Sequence, residues 1–182
     1  MNNDNRRTTR DMERRIAESR DSLFRVAVVW CGDKMLADDL VQETMTSGIV
    51  HRRQLRDDKR LLAWLYSIMR NNWYRHLRQN KPLAELDDQL PSEDFGPLGA
   101  CQKLEIVDRV RRAVAMLPAE QREVLSLVDL EEFSYCEVAE VLSIPIGTVM
   151  SRLHRARNNL LLQLDETAEK RMVSKDNIRI IK

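Results

Sequence analysis

Between Ser134 and Leu160 the chain has few ways to fold. Ser134 followed three residues later by Glu137 is the pattern in which a hydroxyl and a carboxylate cap the first turn of a helix reciprocally. The short run Tyr135 to Leu142 follows, and Ser143-Ile144-Pro145 then stops it, because proline cannot continue a helix. Beyond Gly147, the residues Val149, Leu153, Ala156 and Leu160 recur at helical spacing and make an inner face. Thr148, Ser151, Arg152 and Arg155 face the other way. A capped short helix, a tight turn and a longer helix with cations on its outer side make a helix-turn-helix. Such a motif offers its second helix to the major groove of DNA. There arginine forks grip phosphates or guanine edges, and hydroxyls bond either. Gly147 is expected to allow close approach of the two helices.

The rest of the chain fits the same class. Of 182 residues, 43% are hydrophobic and 32% charged, with only five Gly and five Pro and no strongly alternating runs. An all-α protein is expected, with the charges on helix surfaces. The net charge of +1 is low for a nucleic-acid binder, but the charges are segregated. The stretches from Arg70 to Lys81 and from Arg152 to Arg157 are basic, and that from Glu85 to Asp94 is acidic. Cys31, Cys101 and Cys136 have no metal spacing with His51, His76 or His154, so they read as reduced thiols. No metal, cofactor or catalytic set is expected, and the chain does not read as an enzyme. The polar, arginine-rich opening is no signal peptide, and the apolar run Val26 to Cys31 is too short for a membrane span. A cytoplasmic protein with no membrane insertion of its own is expected.

Pattern and punctuation divide the chain. Residues 1–13 read as a flexible arm. Residues 14–80 read as a first helical domain. In it Leu23, Val26, Ala27 and Trp30 mark one helix, which Gly32 ends. A second helix, about 34–49, turns Leu36, Ala37, Leu40, Val41 and Thr44 inward and Asp39, Gln42, Glu43 and Thr46 outward. The outward carboxylates suit docking on a basic helical surface. A third helix, about 61–79, has an apolar stripe of Leu62, Leu65, Met69, Trp73 and Leu77. Its second stripe, Arg70, Asn71, Tyr74, Arg75 and Arg78, is a basic and aromatic ridge. Cations there follow a nucleic-acid backbone, while the amide and phenol bond or stack on unpaired bases. Residues 81–105 hold Pro82, Pro91, Gly96, Pro97 and Gly99 among acids, and read as a flexible acidic linker reaching up to roughly 80 Å. Residues 106–165 form a second domain, in which Ile106, Val110, Val114 and Leu117 are expected to face inward before the helix-turn-helix. Residues 166–182 are a tail.

Two separate blocks match one family. The first comprises Leu23-Phe24-Arg25-Val26-Ala27, the segment Ala37-Asp38-Asp39-Leu40-Val41-Gln42-Glu43-Thr44, and Ala63-Trp64-Leu65-Tyr66-Ser67-Ile68-Met69-Arg70-Asn71. The second comprises Leu117-Pro118-Ala119-Glu120-Gln121-Arg122-Glu123-Val124-Leu125, Phe133-Ser134-Tyr135, Ala139-Glu140-Val141-Leu142, Ile144-Pro145-Ile146-Gly147-Thr148-Val149 and Ser151-Arg152-Leu153-His154-Arg155-Ala156-Arg157. In this order they resemble the sigma-70 family of bacterial RNA polymerase sigma factors, in its extracytoplasmic-function type. The resemblance implies that Asp39, Gln42 and Glu43 dock on core RNA polymerase. It implies that Arg70, Asn71, Tyr74, Arg75 and Arg78 serve the minus-ten element of promoter DNA. It implies that Thr148, Met150, Ser151, Arg152, His154 and Arg155 serve the minus-thirty-five element. It further implies an anti-sigma factor that holds the chain inactive. Ser143 stands where the family often has glycine. Two other functions are compatible with a helix-turn-helix: a stand-alone transcriptional regulator, and a sigma-like adaptor that sequesters an anti-sigma factor. Co-elution with core polymerase separates the first of these from a sigma factor.

Overall fold

The computed structural model describes the backbone of residues 3–79 and 102–178, and the side chains of residues 10–79 and 106–165. Every regular element among the described residues is helical. The N-terminal half holds α1 (Asn3–Glu18), α2 (Arg20–Cys31), α3 (Lys34–His51) and α4 (Leu61–Gln79), with short 3-10 turns at Arg52–Gln54 and Asp58–Arg60. The C-terminal half holds α5 (Gln102–Ala115), α6 (Ala119–Leu125), α7 (Tyr135–Leu142) and α8 (Ile146–Ile178). A π-helical turn, Ser126–Leu130, continues α6. The expected all-α class is the class observed. The acidic residues Glu85, Asp87, Asp88, Glu93 and Asp94 lie outside the described residues.

Local chemistry sets the helix ends. Gly32 adopts the left-handed region (φ 73°) and returns its N–H to the Val28 carbonyl at 2.9 Å, which closes α2. The Asp33 carboxylate then accepts from the N–H groups of Met35 (2.6 Å) and Leu36 (3.1 Å), which opens α3. Ser134 and Glu137 form the expected reciprocal cap of α7.

Some boundaries and faces differ from the sequence reading. α1 begins at Asn3, within the stretch read as a loose arm. Met12 and Ile16, one helical turn apart, are buried there, and α1 packs on α2 and α3. α5 begins at Gln102, inside the stretch read as linker, and α8 runs to Ile178, through the stretch read as a tail. α5 is also rotated from its expected inner face. Ala113 and Leu117 are buried, whereas Ile106 and Val110 are exposed. Arg109 donates to the Leu164 carbonyl at 2.8 Å, so α5 turns a narrow side of small and polar residues toward α8.

The core of the N-terminal half comes from Leu23, Val26, Ala27 and Trp30 of α2, Ala37, Leu40 and Val41 of α3, and Leu65, Met69 and Trp73 of α4. The helices α3 and α4 approach closely at Gly48, where a Cβ would lie 2.7 Å from Leu65 Cδ2. In the C-terminal half, Val124, Leu127, Val138, Val141, Leu142, Val149, Leu153 and Ala156 fill the same role. The two sets join in one continuous apolar cluster. At the junction α2 meets α6 and the π turn, and α4 meets α7. The buried Trp30 indole N–H donates to Ser126 Oγ at 2.9 Å. The Tyr66 and Phe133 rings meet edge to face, 5.6 Å between centroids. Arg25 pairs with Glu131 at 2.9 Å, and Arg60 pairs with Glu140. Each large aromatic buried at this junction contributes roughly 1.5–3 kcal/mol, so the halves are held together mainly by apolar burial.

Candidate polymerase and nucleic-acid interfaces

Three surfaces carry the residues singled out by sequence. The first is the outer side of α3. Leu40, Val41 and Thr44 point into the core, and Thr44 anchors its hydroxyl on the Leu40 carbonyl at 2.7 Å. Helical spacing therefore leaves Asp39, Gln42 and Glu43 exposed together. Gln42 donates to Asp38 at 2.9 Å, and Asp38 also takes Arg20 at 2.6 Å. Glu43 reaches across to α4 and pairs with Arg75.

The second surface is the ridge of α4. Leu65, Met69 and Trp73 are buried on the inner side, which turns Arg70, Asn71, Tyr74, Arg75 and Arg78 outward in succession. These residues, with Asn72, line a concave surface of about 520 Å³. Its members are not equally free. Asn71, Arg75 and Arg78 are exposed, while Arg70 and Tyr74 are half-buried. The Arg70 guanidinium lies 4.8 Å from the Tyr74 ring centroid, within reach of the ring's attraction for a cation. Arg70 Nε also faces the Glu123 carboxylate of α6 at 3.5 Å. Burial, with the Glu123 charge beside it, pushes the Tyr74 phenol up to about 12. Tyr74 is therefore a neutral hydrogen-bonding phenol at any working pH.

The third surface is the outer side of α8. Val149, Leu153 and Ala156 are buried against α6 and α7. This leaves Met150, Ser151, His154 and Arg155 exposed, with Thr148 and Arg152 half-buried. Ser151 Oγ donates to the Thr148 carbonyl at 3.1 Å, and Arg155 Nε donates to the Ser151 carbonyl at 3.2 Å. His154 and Asn158 are 3.1 Å apart. Arg152 is held by Glu120 at 2.6 Å. The turn before α8 places Ser143 in the left-handed region (φ 50°, ψ 46°), a conformation glycine adopts without strain. Gly147 does not serve the close helix approach expected of it. It is exposed, and a Cβ there meets nothing within 4 Å. The turn at Ser143 is what brings α7 and α8 together.

Sequence reasoning missed Glu120 and Glu123. On a short helix that ends the family block Leu117 to Leu125, they look like ordinary surface carboxylates. Glu123 is among the least exposed of the described residues. Its carboxyl is held above the usual carboxylate range because burial disfavours its charge, and Arg70, Tyr74 and Arg152 only partly offset that. Val124 marks the face of α6 that enters its own half, and Glu123 meets Arg70 and Tyr74 of α4 from the other half as well as Arg152 of α8. One helix's periodicity carries no information about such a neighbour.

Both halves of the chain match known proteins. Residues 16–82 match the family model for sigma-70 region 2, and residues 108–160 match that for sigma-70 region 4. The chain is 33% identical over 147 residues to the ECF RNA polymerase sigma factor EcfG of Rhodopseudomonas palustris, covering 79% of this chain and 81% of that protein. It is 28% identical over 157 residues to SigW of Bacillus subtilis, also an ECF RNA polymerase sigma factor, covering 80% and 84%. Among solved structures, the sigma factor RpoE of Bartonella quintana, in complex with the anti-sigma factor NepR, superposes with a TM-score of 0.68 at 26% identity, covering 85% of this chain and 97% of that one. Region 2 thus coincides with the half that carries the α3 acids and the α4 ridge, and region 4 with the half that carries α8. With both regions present in order, this chain belongs to the sigma-70 family, as an ECF RNA polymerase sigma factor.

Proposed function

We propose that the chain carries core RNA polymerase to promoters and helps to open them, with residues 14–80 and 106–165 acting as separate modules on the tether of residues 81–105. In this reading Asp39, Gln42 and Glu43 dock on basic helices of the polymerase, where charge complementarity sets orientation and encounter rate. Arg70, Asn71, Tyr74, Arg75 and Arg78 take the minus-ten strand as it leaves the duplex, its backbone on the guanidiniums and its bases against the amide and phenol. Thr148, Met150, Ser151, Arg152, His154 and Arg155 enter the major groove at the minus-thirty-five element. The chain performs no chemistry of its own and works in the cytoplasm beside the enzyme it serves. Binding energy alone drives strand separation.

The observation that carries this reading is the pair of outward cationic helix faces, α4 in the region 2 match and α8 in the region 4 match. An anti-sigma factor is the regulator that fits. The relative from Bartonella quintana is seen in complex with one, and the exposed Ile106, Val107 and Val110 of α5 offer apolar surface to such a partner. Run-off transcription with bacterial core polymerase on a random promoter pool tests the proposal. Arg155→Ala is expected to lower promoter use by about 5- to 100-fold, the range of one good base contact, with polymerase binding intact. Asp39→Ala combined with Glu43→Ala is expected to lower polymerase affinity instead, most visibly at low salt. Unchanged promoter use with Arg155→Ala removes the minus-thirty-five assignment.

A further inference from the structure

A polar side chain interrupts the apolar stripe of α4. Asn72 shares the inner side of the helix with Leu65, Met69 and Trp73, and it is only 6% exposed. A buried amide is costly unless it is hydrogen-bonded, and an aliphatic residue would extend the stripe without that cost. Asn72 uses its two ends in different directions. Its Nδ2 donates to Thr44 Oγ1 of α3 at 3.5 Å, and its Oδ1 accepts from Arg75 Nη2, on the ridge, at 3.2 Å. We infer that Asn72 is a positioning residue of the α4 ridge: it fixes the Arg75 guanidinium on the concave surface, so that this cation meets a nucleic-acid phosphate already oriented.

Hydrogen-bond chemistry leaves the amide one orientation. The buried Thr44 hydroxyl has a single proton, which goes to the Leu40 carbonyl at 2.7 Å. Thr44 can therefore only accept from Asn72, and Arg75, which carries donors alone, can only donate to it. Asparagine satisfies both demands at once. Leucine meets neither, and aspartate would set a carboxylate oxygen against the Thr44 lone pairs. The support thus runs outward from α3: Leu40 holds Thr44, Thr44 holds Asn72, and Asn72 holds Arg75. The same Arg75 Nη2 also pairs with Glu43, a second anchor from α3. Among the described residues, Arg75 Nε and Nη1 carry no hydrogen bond, so both remain available to a ligand. The Arg75 side chain is 49% exposed. A long side chain at that exposure ordinarily loses much rotamer freedom when a partner binds, and anchoring it beforehand removes part of that loss.

This inference rests on the assignment of Arg75 to the minus-ten strand, and the test separates the two. The binding of a labelled mixed-sequence single strand that the full-length chain adds to bacterial core polymerase is titrated over a range of salt, at matched polymerase occupancy. Arg75→Gln removes a phosphate contact, so affinity is expected to fall and the salt slope to shrink by about 0.7. Asn72→Leu is expected to lower affinity by about 2- to 10-fold, the effect of immobilising one long side chain. Its salt slope is expected to stay unchanged, because every cation is still present. In the Arg75→Gln background, Asn72→Leu is expected to change nothing further. An amide with a merely structural role lowers affinity equally in both backgrounds, and that result overturns the inference. So does unchanged affinity in Asn72→Leu where Arg75→Gln weakens binding. Nitrogen relaxation at Arg75 Nε, assigned by its loss in Arg75→Gln, reads the positioning without DNA. The guanidinium is expected to be ordered in the wild type and mobile in Asn72→Leu, and equal order in the two overturns the inference. If Asn72→Leu loses helicity, Asn72→Ala takes its place, since it removes both bonds with less volume. If Arg75→Gln leaves strand binding and its salt slope unchanged, the minus-ten assignment of Arg75 fails, and relaxation still decides whether Asn72 positions it.

Discussion

At the residue scale, two positions are at odds with their surroundings, and each yields a measurable consequence. Glu123 has a folded-state pKa raised above its ordinary value of 4.5, chiefly by burial. The native state therefore binds its proton more readily than the unfolded chain does. The stability contributed by that proton is complete below about pH 4.5 and is lost as pH rises through the higher folded value. Glu137 runs the other way. Hydrogen bonds from Ser134 hold its carboxyl below 4.5, so its contribution is present above that pH and is lost only as pH falls further. The two windows do not overlap. As pH falls toward 4.5 the melting temperature of the wild type is expected to rise, and Glu123→Gln is expected to flatten that slope. A slope unchanged in Glu123→Gln contradicts the assignment. Ser143 is the second position. Its left-handed backbone costs about 1–2 kcal/mol in any residue but glycine. Ser143→Gly is expected to stabilise the chain by about 0.5–1 kcal/mol after the added freedom of the unfolded chain is subtracted, measured by chemical denaturation.

At the scale of elements, most of the architecture was legible. The spacing of Ala37, Leu40, Val41 and Thr44, and that of Leu65, Met69 and Trp73, gave both inner faces and hence the outward sides of α3 and α4. The cap at Ser134 and the stop at Pro145 gave the turn before α8. The misreadings share one cause. Ile106 and Val110 have the right period but are exposed, and Met12 lies in the stretch read as an arm but is buried, because tertiary packing and not local pattern chooses the covered face. The close approach expected at Gly147 is made at Gly48. Nothing in the order of residues distinguishes one glycine from the other. Only the Leu65 methyl across the interface does. Gly48→Val is accordingly expected to overpack the α3–α4 contact and cost about 1–3 kcal/mol, whereas Gly147→Ala is expected to leave stability nearly unchanged. Equal losses for the two refute the packing argument.

At the scale of the whole molecule, the covering of Arg70 and Arg152 was not legible, because it depends on two halves far apart in sequence meeting through α6. The continuous cluster that joins them predicts one cooperative transition. Loss of helicity and the change in Trp30 fluorescence, read in a variant with Trp64 and Trp73 replaced by Phe, are expected to share a midpoint. Two separated midpoints point to halves that are independent even when closed. The larger claim is that this chain is an initiation factor that depends on a polymerase to place its two readers apart. Abortive or run-off RNA synthesis by purified bacterial core polymerase, with and without the full-length chain, on a pool of defined promoters measures it most directly. Start-site-specific RNA is expected only when the chain is present, and about 5- to 100-fold less of it with Arg155→Ala at the same polymerase occupancy. A chain that neither loads on core polymerase nor starts RNA at any defined site contradicts it.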